Sequence, residues 1–116
     1  MIENMATLQF DRVPYEKVRD GLQRKIIHTD KLMNVLIDFS DGPWEKPEPY
    51  HSHPHEQTSY VASGEIIFFC EGEEEQLLKA GDMFAVPSGI KHTIQLRTKE
   101  VRLVDSFTPI REDFLK

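Results

Sequence analysis

Turn-forming residues recur through this chain at intervals too short for helices. Asp41-Gly42-Pro43, Ser63-Gly64, Glu71-Gly72, Ala80-Gly81-Asp82 and Pro87-Ser88-Gly89 each join glycine or proline to a small polar or charged neighbour, the chemistry of tight turns. The stretches between them are short and rich in β-branched and aromatic residues: Lys31 to Phe39, Thr58 to Ala62, Glu65 to Cys70, Met83 to Val86, His92 to Leu96 and Val101 to Phe107. These are expected to be strands. Glu16 to Ile26 offers at most a turn or two of helix, because Gly21 interrupts it and its apolar residues form no sustained stripe. The pattern predicts an all-β barrel or sandwich, and 116 residues suffice for one domain with one core.

Residues two apart on a strand share a face. In the last predicted strand Val101, Leu103, Asp105 and Phe107 alternate with Arg102, Val104 and Ser106, so Asp105 falls on the apolar side. His92, Ile94 and Leu96 alternate with Thr93, Gln95 and Arg97, which turns His92 inward as well. A carboxylate and an imidazole facing an interior need partners or water. The two strands therefore predict a polar pocket within the fold.

Several classes of partner are disfavoured. Fourteen basic against twenty acidic side chains leave a net charge of -6, which repels nucleic acid backbones and anionic membranes. The longest apolar run, Ile66 to Cys70, is far below the roughly 20 residues that cross a bilayer. The lone Cys70 closes no internal disulfide, and the first residues lack a basic start followed by an apolar run. A reducing, cytoplasmic setting is expected.

Chemistry concentrates in His51-Ser52-His53-Pro54-His55-Glu56-Gln57, which holds three of five histidines. His51 and His53 can present neutral nitrogens to one ion from the same face of an extended segment, and Gln57 can add an amide oxygen once the chain bends after Pro54. His92, already placed inward, completes a set of three imidazoles and one carbonyl oxygen. Such a set suits one divalent transition metal, nickel, zinc, iron, manganese or cobalt, with positions left open. The alternative is a surface histidine cluster that binds nothing.

The spacing His51-x-His53-x3-Gln57-x6-Gly64 resembles the first motif of the cupin superfamily, and Gly81-x5-Pro87-x-Gly89-x2-His92 resembles the second, with sixteen residues between Gly64 and Gly81. The resemblance covers roughly 31–107. It implies a small single-domain cupin β-barrel, a double-stranded β-helix or jelly roll, with a metal at its mouth. Residues 1–30 would then be an N-terminal arm and edge strands, 31–107 the barrel and 108–116 a tail, in a single domain over 1–116. Three positions depart from the family pattern: Gln57 stands where glutamate is usual, Glu45 occupies the place of the leading glycine, and Leu96 replaces the closing asparagine. The first removes the anionic ligand, which leaves more positive charge on the metal and favours anionic substrates.

The tail beginning Asp105-Ser106-Phe107-Thr108-Pro109-Ile110-Arg111 is similar to that of cupins acting on unsaturated uronates in pectin degradation. The resemblance implies that Asp105, Phe107 and Arg111 flank the metal. Asp105 would move a proton and Arg111 would hold a substrate carboxylate. The alternatives are an Arg111 paired with Glu112 or Asp113 at the surface, an Asp105 held by backbone amides, and a Phe107 that is core. His55, Glu56, Trp44 and Tyr50 are further candidates, as proton carrier or sugar platform, against simple loop packing. The implied activity is metal-dependent ring opening or tautomerisation of a small uronate-like sugar acid, an isomerase- or lyase-like reaction. A cupin dioxygenase with a redox-active metal and a non-catalytic ligand-binding cupin are the alternatives. A homodimer is expected, with Leu8 and Phe10 of the N-terminal arm adding a strand to a neighbour.

Overall fold

The structure, a computed structural model, describes residues 6–116. In chain order the strands are β1 (Glu16–Arg19), β2 (Leu22–His28), β3 (Met33–Phe39), β4 (Glu56–Ser63), β5 (Glu65–Cys70), β6 (Gln76–Lys79), β7 (Met83–Val86), β8 (His92–Leu96) and β9 (Val101–Thr108), followed by a 3-10 turn over Glu112–Leu115. They form two antiparallel sheets, one ordered β1-β2-β3-β9-β4-β7 and the other β6-β5-β8. The architecture is β throughout with a cupin-like topology. Among the described residues no ladder of strands joins the two sheets into a continuous cylinder.

Three expected strands, β5, β7 and β8, have the bounds read from the sequence. The segment from Glu16 to Ile26 does not; it is a β-hairpin. Arg19 and Leu22 face each other across β1 and β2, leaving Asp20-Gly21 as a two-residue loop, and Gly21 has a φ of +81°. Asp-Gly at that place is the signature of a hairpin turn, because the loop needs the left-handed backbone that glycine adopts freely. β6, which pairs with β5 across the acidic turn, was not among the expected strands. It is four residues long, and the acidic Glu71 to Glu75 turn that precedes it draws the eye to a loop.

The main core gathers inward residues of both sheets, with Val61, Ile66 and Leu96 wholly buried among Phe39, Phe68, Phe84 and Val101. Phe68 stacks on Phe84 with ring centroids 4.1 Å apart. A smaller cluster of Met33, Val35 and Phe107 lies beside it, packed against Ile26, Ile110 and Phe114. In β9 the alternation is complete: Val101, Leu103, Asp105 and Phe107 are buried and their neighbours less so. In β8 both His92 and Thr93 are buried, because a chain segment runs along that strand. Trp44, Glu48 and His51 donate their backbone N–H to the carbonyls of Leu96, Ile94 and His92, and His92 donates back to His51. This segment covers Thr93, whose hydroxyl donates to the Glu48 carbonyl.

Leu8 and Phe10 do not form a strand. Phe10 lies in a turn and folds back on the chain's own sheet, with the Lys25 ammonium 3.8 Å from its ring centroid and the Tyr15 ring edge-on at 5.8 Å. Lys25 donates to the Phe10 carbonyl, which answers the cost of burying an ammonium. Tyr15 donates to Asp38, and Arg102 holds the same carboxylate with bonds of 2.7 and 2.9 Å. The first five residues of the arm lie outside the described residues.

Candidate metal centre

The backbone bridge between His51 and His92 sets two histidines side by side, their ring centroids 4.3 Å apart. Pro54 breaks the extended run after His53, and β4 begins two residues later. His53 thereby closes on the pair, with its ring 5.0 Å from His92 and 6.0 Å from His51. One nitrogen from each of the three lies within 4.8 Å of the others. Their second nitrogens are tied to the backbone where the bonds are resolved: His92 Nδ1 is 2.9 Å from the Ile90 carbonyl and His53 Nδ1 is 2.9 Å from the His55 carbonyl. A carbonyl only accepts, so each Nδ1 carries the proton and each Nε2 keeps its lone pair. This is the arrangement that orients imidazoles as ligands.

Two observations fit a cation. His92 Nε2 is buried and has no hydrogen-bond partner among the described residues, a state that costs free energy unless an ion or a water answers it. The Gln57 carboxamide oxygen lies 3.0 Å from His53 Nε2, so two lone pairs face one another. Two lone pairs held this close are placed as donors that would share one cation. Burial holds the His92 imidazole down at about 4, with nearby His51, His53 and Arg111 adding to the effect. Burial lowers His51 too. Both are neutral near pH 7, as a ligand must be. The cluster is therefore of the kind that holds a divalent transition metal.

A cavity of about 380 Å³ opens beside the cluster, lined by His51, Gln57, His92, Asp105, Phe107 and Arg111 together with apolar residues that include Leu22, Ile37, Trp44 and Phe84. Asp105 is buried on β9 directly opposite Ser59 on β4, and the Ser59 hydroxyl donates to it at 2.6 Å. Desolvation pushes this carboxyl up to about 6, against the Ser59 bond and the charge of Arg111. Its partner is a side-chain hydroxyl, not backbone amides. Phe107 is both core and site: it is buried and meets the His53 ring edge-on at 5.7 Å.

Arg111 follows Pro109 and returns to the cavity. Its guanidinium forks onto Asp113 at 3.2 and 2.9 Å while lying over Phe114 at 4.2 Å and Phe107 at 5.1 Å. It is thus paired with Asp113 and part of the lining at once. The Arg24 guanidinium lies 4.2 Å from the centroid of the same Phe114 ring, so the 3-10 turn is clasped by two cations at the cavity's edge.

His55 stays outside the group of three, its ring 5.6 Å from His53. Trp44 lines the cavity, edge-on to Phe39 at 5.6 Å, with its indole N–H on Asp41 at 3.1 Å. Tyr50 is exposed, as is Glu56. Sequence reasoning missed Ser59 and Phe114. The signal for Ser59 was its position two residues after Gln57, on the same face of a strand.

Comparison with known proteins agrees with this geometry. Residues 41–107 match the family model described as "Cupin domain". The pectin degradation protein KdgF of Dickeya dadantii (strain 3937) is 37% identical over 107 residues, 90% of this chain and 94% of that protein. Among solved structures, KdgF from Halomonas sp. superposes with a TM-score of 0.82 at 32% identity, over 91% of this chain and 96% of that one. An RmlC-like cupin from Shewanella frigidimarina NCIMB 400 gives 0.86 at 33% identity, over 98% and 99%. With the family model spanning both histidine segments, and relatives aligned over nearly their full length, this chain belongs to the cupin family.

Proposed function

We infer that this chain is a metal-dependent cupin enzyme that opens or tautomerises the ring of a small uronate-like sugar acid. The observation that carries this reading is one cavity joining a histidine cluster fit for a cation, a carboxyl that titrates near 6 and a guanidinium. A relative named for pectin degradation, the breakdown of a polyuronate, supports the substrate class. His51, His53, His92 and Gln57 would hold one divalent cation, whose chemistry when bound is to polarise a hydroxyl or carbonyl oxygen of the substrate.

The remaining steps belong to the protein's own residues. Asp105, titrating close to physiological pH, is matched to both taking and returning a proton, as a tautomerisation requires. Arg111 offers its planar fork to the substrate carboxylate, which then shares the guanidinium with Asp113. Phe107 and Trp44 form apolar walls that exclude water and take up the non-polar face of a sugar ring. In this reading the two sheets close as a cupin barrel, and the protein works as a homodimer in the cytoplasm.

The test is incubation of metal-loaded protein with a 4,5-unsaturated galacturonate or glucuronate, followed by the ultraviolet absorbance of the conjugated acid. Loss of absorbance without oxygen uptake is the expected result. Unchanged absorbance on every uronate tried would sink the reading, and oxygen consumption during turnover would replace it with a dioxygenase.

A further inference from the structure

Ser59 is 2% exposed and stands between two groups of the cavity without belonging to the histidine cluster. β4 carries Gln57 and Ser59 two positions apart, so their side chains leave one face, and the ladder sets Ser59 against Asp105 on β9. The Ser59 oxygen lies 2.6 Å from Asp105 Oδ1 and 2.9 Å from Gln57 Nε2. A hydroxyl has a single proton to give. A carboxylate only accepts, so that proton goes to Asp105, and the serine oxygen is left to accept from the end of Gln57 that faces it. Only the NH2 end can donate. The carbonyl end is thereby turned toward His53 Nε2, at 3.0 Å.

A free carboxamide has two orientations of almost equal shape, related by a half-turn. One offers the cluster an oxygen lone pair; the other offers an NH2 group that cannot bind a cation. Where a family pattern places glutamate, both terminal atoms are oxygens and orientation carries no penalty. Gln57 lacks that symmetry, so something must select its orientation. We propose that Ser59 is a positioning residue that holds Gln57 oxygen-first toward the histidines, through a relay running from Asp105 through the serine hydroxyl to the carboxamide. The proposal rests on the reading of the histidine cluster as a cation site.

The test is a double-mutant cycle on the full chain, with cobalt(II) alone as the probe and its visible ligand-field absorption as the readout. Ser59→Ala is expected to weaken cobalt binding about 10- to 100-fold, the usual effect of losing a group that orients a ligand. In the Gln57→Glu background, where either terminal atom can coordinate, the same substitution is expected to cost less than about twofold. Equal losses in both backgrounds, or no loss in either, would overturn the proposal while leaving the cation site standing. A wild-type chain that binds no cobalt would overturn the cation site and the proposal together. Circular dichroism of the metal-free proteins checks folding, and Ser59→Cys, similar in size but a weaker donor and acceptor, enters the cycle if the alanine variant does not fold.

Discussion

At Asp105 and His92 burial acts in opposite directions on how stability varies with pH. The Asp105 carboxyl is pushed up to about 6, against about 3.9 for an unfolded aspartate. Between those values the folded chain holds more proton than the unfolded one, so this group's contribution to stability falls as pH rises from about 4 to 6. His92 is held down at about 4 against about 6.5 unfolded. Over its window the folded chain holds less proton, and its contribution rises with pH. Asp105→Asn removes the first effect and leaves the second. The metal-free variant is expected to gain stability with pH more steeply than wild type between pH 4 and 6, read from urea midpoints at three pH values. Parallel profiles would contradict a raised Asp105. The same variant should keep its metal, because the amide oxygen it introduces still accepts from Ser59, and lose about 100- to 10,000-fold in turnover, the range for a group that moves a proton in the transition state. Arg111→Lys should chiefly raise KM for the uronate, since one ammonium cannot reproduce the fork that now rests on Asp113. A KM that stays fixed while kcat falls would assign Arg111 a different task. The histidines were legible because their type and spacing are rare together. Ser59 was not, because its place two residues after Gln57 gains meaning only once the opposite strand is known to bring Asp105 against it.

The elements were legible where alternation and turns agreed. β5, β7 and β8 are bounded on both sides by glycine or proline signals or by charged residues, and their limits were read correctly. The β1–β2 hairpin was obscured because its polar, lysine- and arginine-rich strands carry weak alternation, and only the Asp20-Gly21 loop betrayed it. The glycine between β4 and β5 shows how strictly one position can hold a motif. Gly64 has a φ of +82°, and a Cβ there would stand 2.3 Å from the Glu100 carbonyl oxygen. Backbone cannot yield as a flexible side chain does. Gly64→Ala is expected to cost about 2 kcal/mol or more, a drop in Tm of roughly 10 °C. Gly81→Ala, where φ is +100° but a Cβ meets nothing within 4 Å, should cost only the backbone strain, about 1 kcal/mol. Equal melting temperatures for the two variants would mean that the β4–β5 turn can relax.

At the scale of the molecule, the histidines come from two sides of the fold. His92 begins β8 of the smaller sheet, with His51 bridged to it, while His53 leads into Gln57 on β4 of the larger. A ligand that binds only the folded chain stabilises it by mass action, about 2.7 kcal/mol at a hundredfold excess over Kd. Added cobalt is therefore expected to raise the Tm of wild type and to leave the His51→Ala/His53→Ala double variant, still folded, unchanged. A shift of equal size in the double variant would place the ion elsewhere. Such a site also works as a gauge of spacing. Because its donors sit on separate sheets, cation affinity reads how those sheets are set against each other, to within a fraction of an ångström of bond length. A core substitution such as Phe68→Leu, which thins the stack with Phe84 and replaces none of the cluster's donors, would register as a change in metal affinity long before the fold itself gave way.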